Sequence, residues 1–422
     1  MIKNDKNNEN LKTFWILSAS MLLIGVALKL LYIFYVTRRD GSAFNTMYPF
    51  DSYLFDPFHR FTDWLIPLEF SMTQNPWDIN SELSKHLPPV PYGPTTFFYL
   101  KITSFLDSVL PFFVLVAGFL FFNFKLLQKT LIGEKDNLIF LIFMAVIVGF
   151  YPLHFLIDRG NTVIIGAVLI SAIYYILITK FTDNLTSKII YIRTIEVLFC
   201  LLLTSKPSWG LCLLPIFYLP KKSIFRITLF SILIYILPIY TSGVSLFDYM
   251  KTINLALSIF EGSINFSNDL LGGVSVISSE ILRIPINLKY LMRPFLAFGL
   301  ILLLAGSLYI YKLDRYSKKT KILWFFSYIL VLTLMFNRPS ADYNLIVILP
   351  LLITIIMISN FENKLNNFTI KYLALAFFSI SSWGWPISKI SKIQFSVPVR
   401  SLGLVMLCLY FFHLFSNPKE SK

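Results

Sequence analysis

Long apolar runs separated by short polar turns fill most of the chain. A helix crosses a bilayer with about 20 apolar residues, fewer where it is broken. On that measure twelve helical segments are predicted, near 13–36, 100–127, 138–156, 162–180, 190–204, 207–220, 224–241, 290–311, 321–337, 343–359, 370–385 and 399–416. The fifth and sixth are short and split by "TSKPSWG", a pattern that also suits a re-entrant pair. Two longer intervals, 37–99 and 242–289, interrupt the rhythm. Within them "FTDWLIPLEF" and "FDYMKTINLALSIF" predict short helices lying in the interface, the first anchored by Trp64 and Phe70. The expected fold is an all-α polytopic membrane protein of about twelve transmembrane helices, with two large external loops carrying interfacial helices. Residues 1–422 form a single integral membrane domain.

Charge sets the orientation. With the N-terminus inside, the inside segments are "KLLQKTLIGEK", "KFTDNLTSKIIYIR", "LPKKSIFR", "YKLDRYSKKTK", "NFENKLNNFTIK" and the tail "SNPKESK". Nearly all are distinctly basic, as the positive-inside rule asks. The formal net charge of +14 is therefore read as topology. No basic block or motif points to nucleic acid. "MIKNDKNNENLK" leads into the first apolar run without a small-residue cleavage site, so a retained helix is expected. The expected location is a bacterial cytoplasmic membrane, multi-pass, with both termini cytoplasmic. The wealth of Lys, Asn, Ile and Phe suits a bacterial chain of low G+C content.

Composition agrees. Only 14% of residues are charged, against about 25% in soluble domains, and 56% are hydrophobic. The three cysteines, Cys200, Cys212 and Cys408, all sit in apolar runs, without disulfide or zinc spacing. With four scattered histidines, neither a metal nor another cofactor is expected.

The outer side carries the candidate chemistry. Arg159 in "DRGN", Lys206 in "SKPSW" and Arg338 in "NRPSADY" stand at short outer turns, against the topology trend. Three cations at helix ends either converge on an anionic headgroup such as a phosphate or reach lipid phosphates nonspecifically. Lys29, inside the first span, has the same two readings. The first external loop supplies Asp51, Asp56, Asp63, Glu69 and Asp78. Asp63 either favours the start of a helix electrostatically or serves as a general base at the membrane surface. In "PPVPYGPTTFFYLK", Pro88, Pro89, Pro91 and Pro94 make a stiff approach to the next helix, with Tyr92 and Gly93 at the turn. "NDLLGGVSV" offers flexible backbone at Gly272 and Gly273.

Four stretches in this order resemble the GT-C superfamily of membrane glycosyltransferases, nearest to glycosyltransferase family 87 and related bacterial polyprenyl-phosphate-sugar transferases. They are "RFTDWLIPLEFSMTQNPWD" followed by "PYGPTTFFYL", "DRGNTVIIGAVLISAIYY", "SKPSWGLCLLPIFYLPKKS" and "RPSADYNLIVILPLL". The resemblance implies a GT-C-like fold and a hexosyl transfer from a polyprenyl-phosphate sugar to a glycan or glycolipid acceptor on the outer face. It implies Asp63 as the base, with Asp56 as the fallback. It places Lys206, Arg159, Arg338 and Asn161 at the donor's lipid phosphate. Trp64, Glu69 and Tyr92 are left as acceptor or loop contacts. This chain departs from the family pattern with Trp77 for a common Tyr, "YGP" for "YPP", and Arg159 in place of a Gln-containing turn. Two other readings stay open: a lipid-linked oligosaccharide polymerase or ligase, and a lipid or glycan flippase. A transporter is expected to show paired repeats and midplane charges, and neither is visible in the sequence.

Overall fold

The computed structural model of the chain describes residues 2–40, 61–78, 81–87, 90, 92–106, 108–180, 189–241, 245–261, 269–284, 288–311, 317–336, 342–362, 364–382 and 396–416. Among the described residues every regular element is helical. The first half holds α1 (Ile2–Asp40), α2 (Thr62–Met72), α3 (Glu82–His86), α4 (Pro94–Thr103), α5 (Leu110–Thr130), α6 (Asp136–Gly149), α7 (Tyr151–Arg159), α8 (Val163–Thr179) and α9 (Ile189–Ser205). A 3-10 helix, Pro207–Tyr218, leads to α10 (Lys221–Thr241), α11 (Leu246–Glu261) and α12 (Leu270–Val276), which runs on as a π turn over Ile277–Ile281. Then come α13 (Leu288–Tyr311), α14 (Lys318–Phe336), a second 3-10 helix (Asp342–Val347), α15 (Ile348–Phe361), α16 (Asn367–Ser381) and α17 (Ser396–Ser416).

Seven of the described helices are long and apolar enough to cross a membrane, or up to eight if α6 and α7 count as one bent span. The chain is a multi-pass helical membrane protein. Each of the twelve expected segments contains a helix. Several are short for the ~20 residues of a full crossing: α8 and α9 have 17 residues each, α16 has 15 and the first 3-10 helix has 12. A 3-10 helix rises ~2.0 Å per residue, so that last segment reaches further than its residue count suggests.

Three expectations change. The single span near 100–127 is two helices, because α4 ends at Thr103 and Pro111 starts a new first turn in α5. Pro is tolerated there because the first N–H groups of a helix have no partner inside it. The segment near 138–156 is bent by 60° at Phe150, with Pro152 in the first turn of α7. Gly272 and Gly273 are not loose backbone. They lie buried in α12, capped by Asp269, whose Oδ1 accepts from the Gly272 N–H at 2.7 Å. A Cβ on Gly273 would come within 2.6 Å of Ser401 Oγ, so glycine lets α12 close on α17. The two short helices expected in "FTDWLIPLEF" and "FDYMKTINLALSIF" are present as α2 and α11.

Burial sorts the bundle. α14 and α15 are apolar all round, and 78% and 89% of their spanning windows are buried, so they form the centre. α10 and α13 are equally apolar yet only 17% and 11% buried. Exposed apolar faces of that size fit hydrocarbon rather than water. The helix ends remote from α2 are tied by polar contacts: Lys12 to Glu134 (3.2 Å), the Asn10 amide to the Leu365 carbonyl (2.7 Å) and Lys319 to the Ile178 carbonyl (2.8 Å). Glu196 holds Arg226 (2.6 Å) and Arg193 (3.0 Å) at the same end. The opposite end of the bundle carries the site.

Candidate functional site

The site starts with a turn. Gly160 follows α7 with φ 62°. Its N–H donates to the Ile157 carbonyl and the Asn161 N–H to the Leu156 carbonyl, which closes the helix end in a Schellman motif. A Cβ on Gly160 would sit 2.5 Å from Phe61 Cδ1, so glycine answers both the left-handed backbone and the close approach of Phe61. Phe61 completes the contact by donating its N–H to the Asp158 carbonyl at 3.1 Å. The start of α2 is thereby docked on the α7–α8 turn.

Docking brings Asp63 to Arg159 and Asn161. Asn161 Nδ2 donates to Asp63 Oδ2 at 2.9 Å, and Arg159 Nη2 lies 3.6 Å from Asp63 Oδ1. The same Asn161 side chain accepts from the Val163 N–H through Oδ1 at 2.9 Å. That capping bond fixes which amide atom faces the carboxylate. Asp63 is in the first turn of α2, where an acid suits the helix end. An end effect alone does not explain partners on α7 and α8.

Lys206 arrives by a second staple. Gly93 N–H donates to the Ser205 carbonyl (2.9 Å), Thr96 Oγ1 donates to the same carbonyl (2.8 Å), and the Thr95 and Thr204 hydroxyls meet at 2.6 Å. A Cβ on Gly93 would lie 2.1 Å from the Thr204 carbonyl oxygen. The "YGPTT" and "LTSK" segments therefore lie backbone against backbone, which places Tyr92 and Lys206 in one neighbourhood. Past Lys206, Trp209 packs so closely on Gly166 of α8 that a Cβ there would approach its Nε1 to 2.7 Å. Lys206 Nζ donates to Asn344 Oδ1 at 3.3 Å.

The electrostatics follow. Lys206 keeps part of its surface, but protein surrounds it closely enough that desolvation pulls its pKa down to about 8, with Asp63 pulling the other way. Burial also pushes the Tyr92 phenol well up, the Asp63 charge adds to this, and Thr162 and Asn161 oppose it. Tyr92 is thus a neutral hydroxyl beside the carboxylate. Its carbonyl accepts from Trp77 Nε1 at 3.1 Å, and Trp77 packs on Phe97 and Tyr249 of α11. α11 lies against the segment that follows α2, since Thr252 Oγ1 donates to the Trp77 carbonyl at 2.8 Å.

Asp63, Tyr92, Arg159, Asn161 and Lys206 lie in one neighbourhood. Asp56 and Arg338 lie outside the described residues. Trp64 is a loop contact: it is buried, donates through Nε1 to the Ser108 carbonyl at 2.8 Å and packs on Phe112. Phe70 is buried beside Trp77 and Phe97. Neither ring is an exposed interfacial anchor, because α2 packs inward on α4 and the start of α5. Glu69 is exposed, two turns along α2. Lys29 is buried at 3% exposure, not extended along the surface. Sequence reasoning passed over Thr162, Asn344 and Arg400. Arg400 is buried with its guanidinium 4.8 Å from the Tyr151 ring centre. Asn344 and Thr162 carry no charge and head apolar runs, so only their position at a helix start marks them.

Among the described residues no group of three or more His, Cys, Asp or Glu converges as a metal site. The arrangement offers a positioned carboxylate, a neutral phenol and two cations at one end of the bundle. No family model matches the chain, and neither curated proteins nor solved structures give a significant match.

Proposed function

We propose that the chain is an inverting, GT-C-like glycosyltransferase that moves a hexose from a polyprenyl-phosphate sugar to a glycan or glycolipid acceptor. The observation that supports it best is the meeting of Asp63 with Arg159, Asn161 and Lys206 from three separate segments. A carboxylate held beside two cations at a helix-bundle rim suits a reaction that both takes a proton and releases an anion.

On this reading Asp63 removes the proton of the acceptor hydroxyl. That oxygen attacks the anomeric carbon from the side opposite the phosphate, and the carbon–oxygen bond to the phosphate breaks. The lipid phosphate monoester leaves with the bonding electrons. Lys206 and Arg159, joined by Arg338, meet its growing charge. Asn161 holds the carboxylate in orientation, and Tyr92 presents an O–H to the acceptor side. The 3-10 helix that follows Lys206 leaves Leu211 and Phe217 exposed, an apolar path suited to a prenyl tail. Charge neutralisation by side chains makes a metal dispensable, so transfer is expected to persist in chelator. The twelve-span count, the outward-facing site in a bacterial cytoplasmic membrane and the cytoplasmic termini belong to the same proposal.

The test compares membranes holding wild type with membranes holding Asp63→Asn, following lipid-phosphate sugars and extracellular glycans by mass spectrometry. Wild type is expected to consume a lipid-phosphate sugar that the folded variant leaves unspent. Equal consumption moves the base to Asp56. No consumption by either favours the polymerase, ligase or flippase readings.

A further inference from the structure

Asn344 stands in the 3-10 helix Asp342–Val347, at 2% exposure. That helix packs on α7, which ends at Arg159, and on α8, whose start Asn161 caps. Lys206 Nζ donates to Asn344 Oδ1 at 3.3 Å. An ammonium group has only donors, so the amide atom facing it is the oxygen and the nitrogen is turned elsewhere. Among the described residues, Asn344 Nδ2 is buried and has no hydrogen-bond acceptor. Buried polar groups in native proteins are nearly always paired, and an orphan in a site calls for a missing partner.

The missing partner must accept. Lys206 and Asn344 touch, so one acceptor group can meet both. A tetrahedral phosphate monoester has several oxygens and takes an ammonium and an amide at once. A sugar hydroxyl offers a single oxygen and would have to serve both. We propose that Asn344 is a ligand-binding residue whose Nδ2 donates to a phosphate-monoester oxygen while Lys206 pairs with the same phosphate. This rests on the polyprenyl-phosphate reading for the source of that phosphate. Asn344 thereby does two things: its oxygen steers Lys206, and its nitrogen binds.

Two variants and two probes test it. Asn344→Asp keeps the shape but replaces both N–H donors with an oxygen. Asn344→Ala removes the amide. Purified full-length protein in detergent is titrated with undecaprenyl monophosphate and, separately, with inorganic phosphate, and its melting temperature is recorded without ligand. Wild type is expected to bind the lipid phosphate, both variants at least tenfold more weakly, and Asn344→Asp to melt no lower than wild type. Variants that bind the lipid phosphate as well as wild type overturn the role of Asn344 and leave the donor reading intact. If inorganic phosphate binds as tightly as the lipid, with the same loss in both variants, the clamp stands and the lipid-donor reading falls. If wild type binds neither probe, both fall.

Discussion

Asn161 and Asp63, 98 positions apart, are joined by a 2.9 Å hydrogen bond, and the same asparagine caps α8 through its other amide atom. One residue thus fixes a helix start and the direction of a carboxylate. The capping bond is local and would form in any protein with this turn. The bond to Asp63 exists only because Phe61 and Gly160 have brought the start of α2 onto the turn.

The two duties separate by substitution. Serine caps a helix about as well as asparagine, whereas alanine costs about 1 kcal/mol. Asn161→Ser is therefore expected to keep nearly wild-type thermal stability, and Asn161→Ala to lose about 1 kcal/mol. Both lose the donor to Asp63. Sugar transfer is expected to fall in both, by on the order of 10²-fold, as for other lost positioning contacts. Melting curves in detergent and a lipid-phosphate-sugar consumption assay check the pair. A variant stable and fully active would show that the orientation of Asp63 does not matter.

The staple between Gly93 and Ser205 gives a second expectation. Gly93 has ordinary extended backbone angles, φ −80° and ψ 169°, so alanine brings no dihedral strain. What forbids it is contact, since its Cβ would fall 2.1 Å from the Thr204 carbonyl oxygen. The α4 and α9 segments must move apart, and the Tyr92–Lys206 neighbourhood opens. Gly93→Ala is expected to destabilise by more than about 2 kcal/mol, in the range of overpacked cores. The reference is Thr95→Val, which removes one hydroxyl pair at similar volume and is expected to cost about 1 kcal/mol. Equal melting temperatures for the two would contradict the close approach.

Which parts of this site are legible in sequence follows from charge and size. Asp63, Arg159 and Lys206 stand out because ions are scarce in a greasy chain and these three are at helix ends, where a membrane protein can hold them. The basic rim is legible for the same reason, and the structure ties it together through Lys12, Lys319 and Arg226. Asn344 is not legible, because an uncharged asparagine before "LIVILPLL" reads as the start of a helix. The break between α4 and α5 is hidden too. Phe105, Leu106 and Val109 keep the stretch apolar on average, so the break shows only in Ser104, Asp107 and Ser108 and in Pro111 at the start of the new helix. Trp64 misleads because tryptophan near a membrane surface suits an anchor, yet here it closes the seam between α2 and α5. Whether a ring faces lipid or protein depends on the neighbouring helix, which hydropathy does not encode.

Lys206 supplies the pH dependence. Burial lowers its pKa to about 8, with Asp63 opposing the shift. The charged form prevails below that value and the neutral amine above it. A phosphate binds the charged form, and by linkage raises the lysine's pKa in the complex. Affinity for undecaprenyl monophosphate is therefore expected to rise from pH 6 as the phosphate becomes a dianion (second pKa about 6), to level off near pH 7 to 8, and to fall as pH rises past 8. Tyr92 does not contribute, since its phenol stays neutral across this range. Lys206→Arg cannot deprotonate in the range, so its profile should lose the alkaline fall even if its affinity is weaker. Lys206→Met should bind weakly at every pH, with no limb near 8. The measurement is a binding titration from pH 6 to pH 10 for the three proteins. A wild-type profile that stays flat from pH 8 to pH 10, or a fall that survives in Lys206→Arg, would place the controlling group elsewhere.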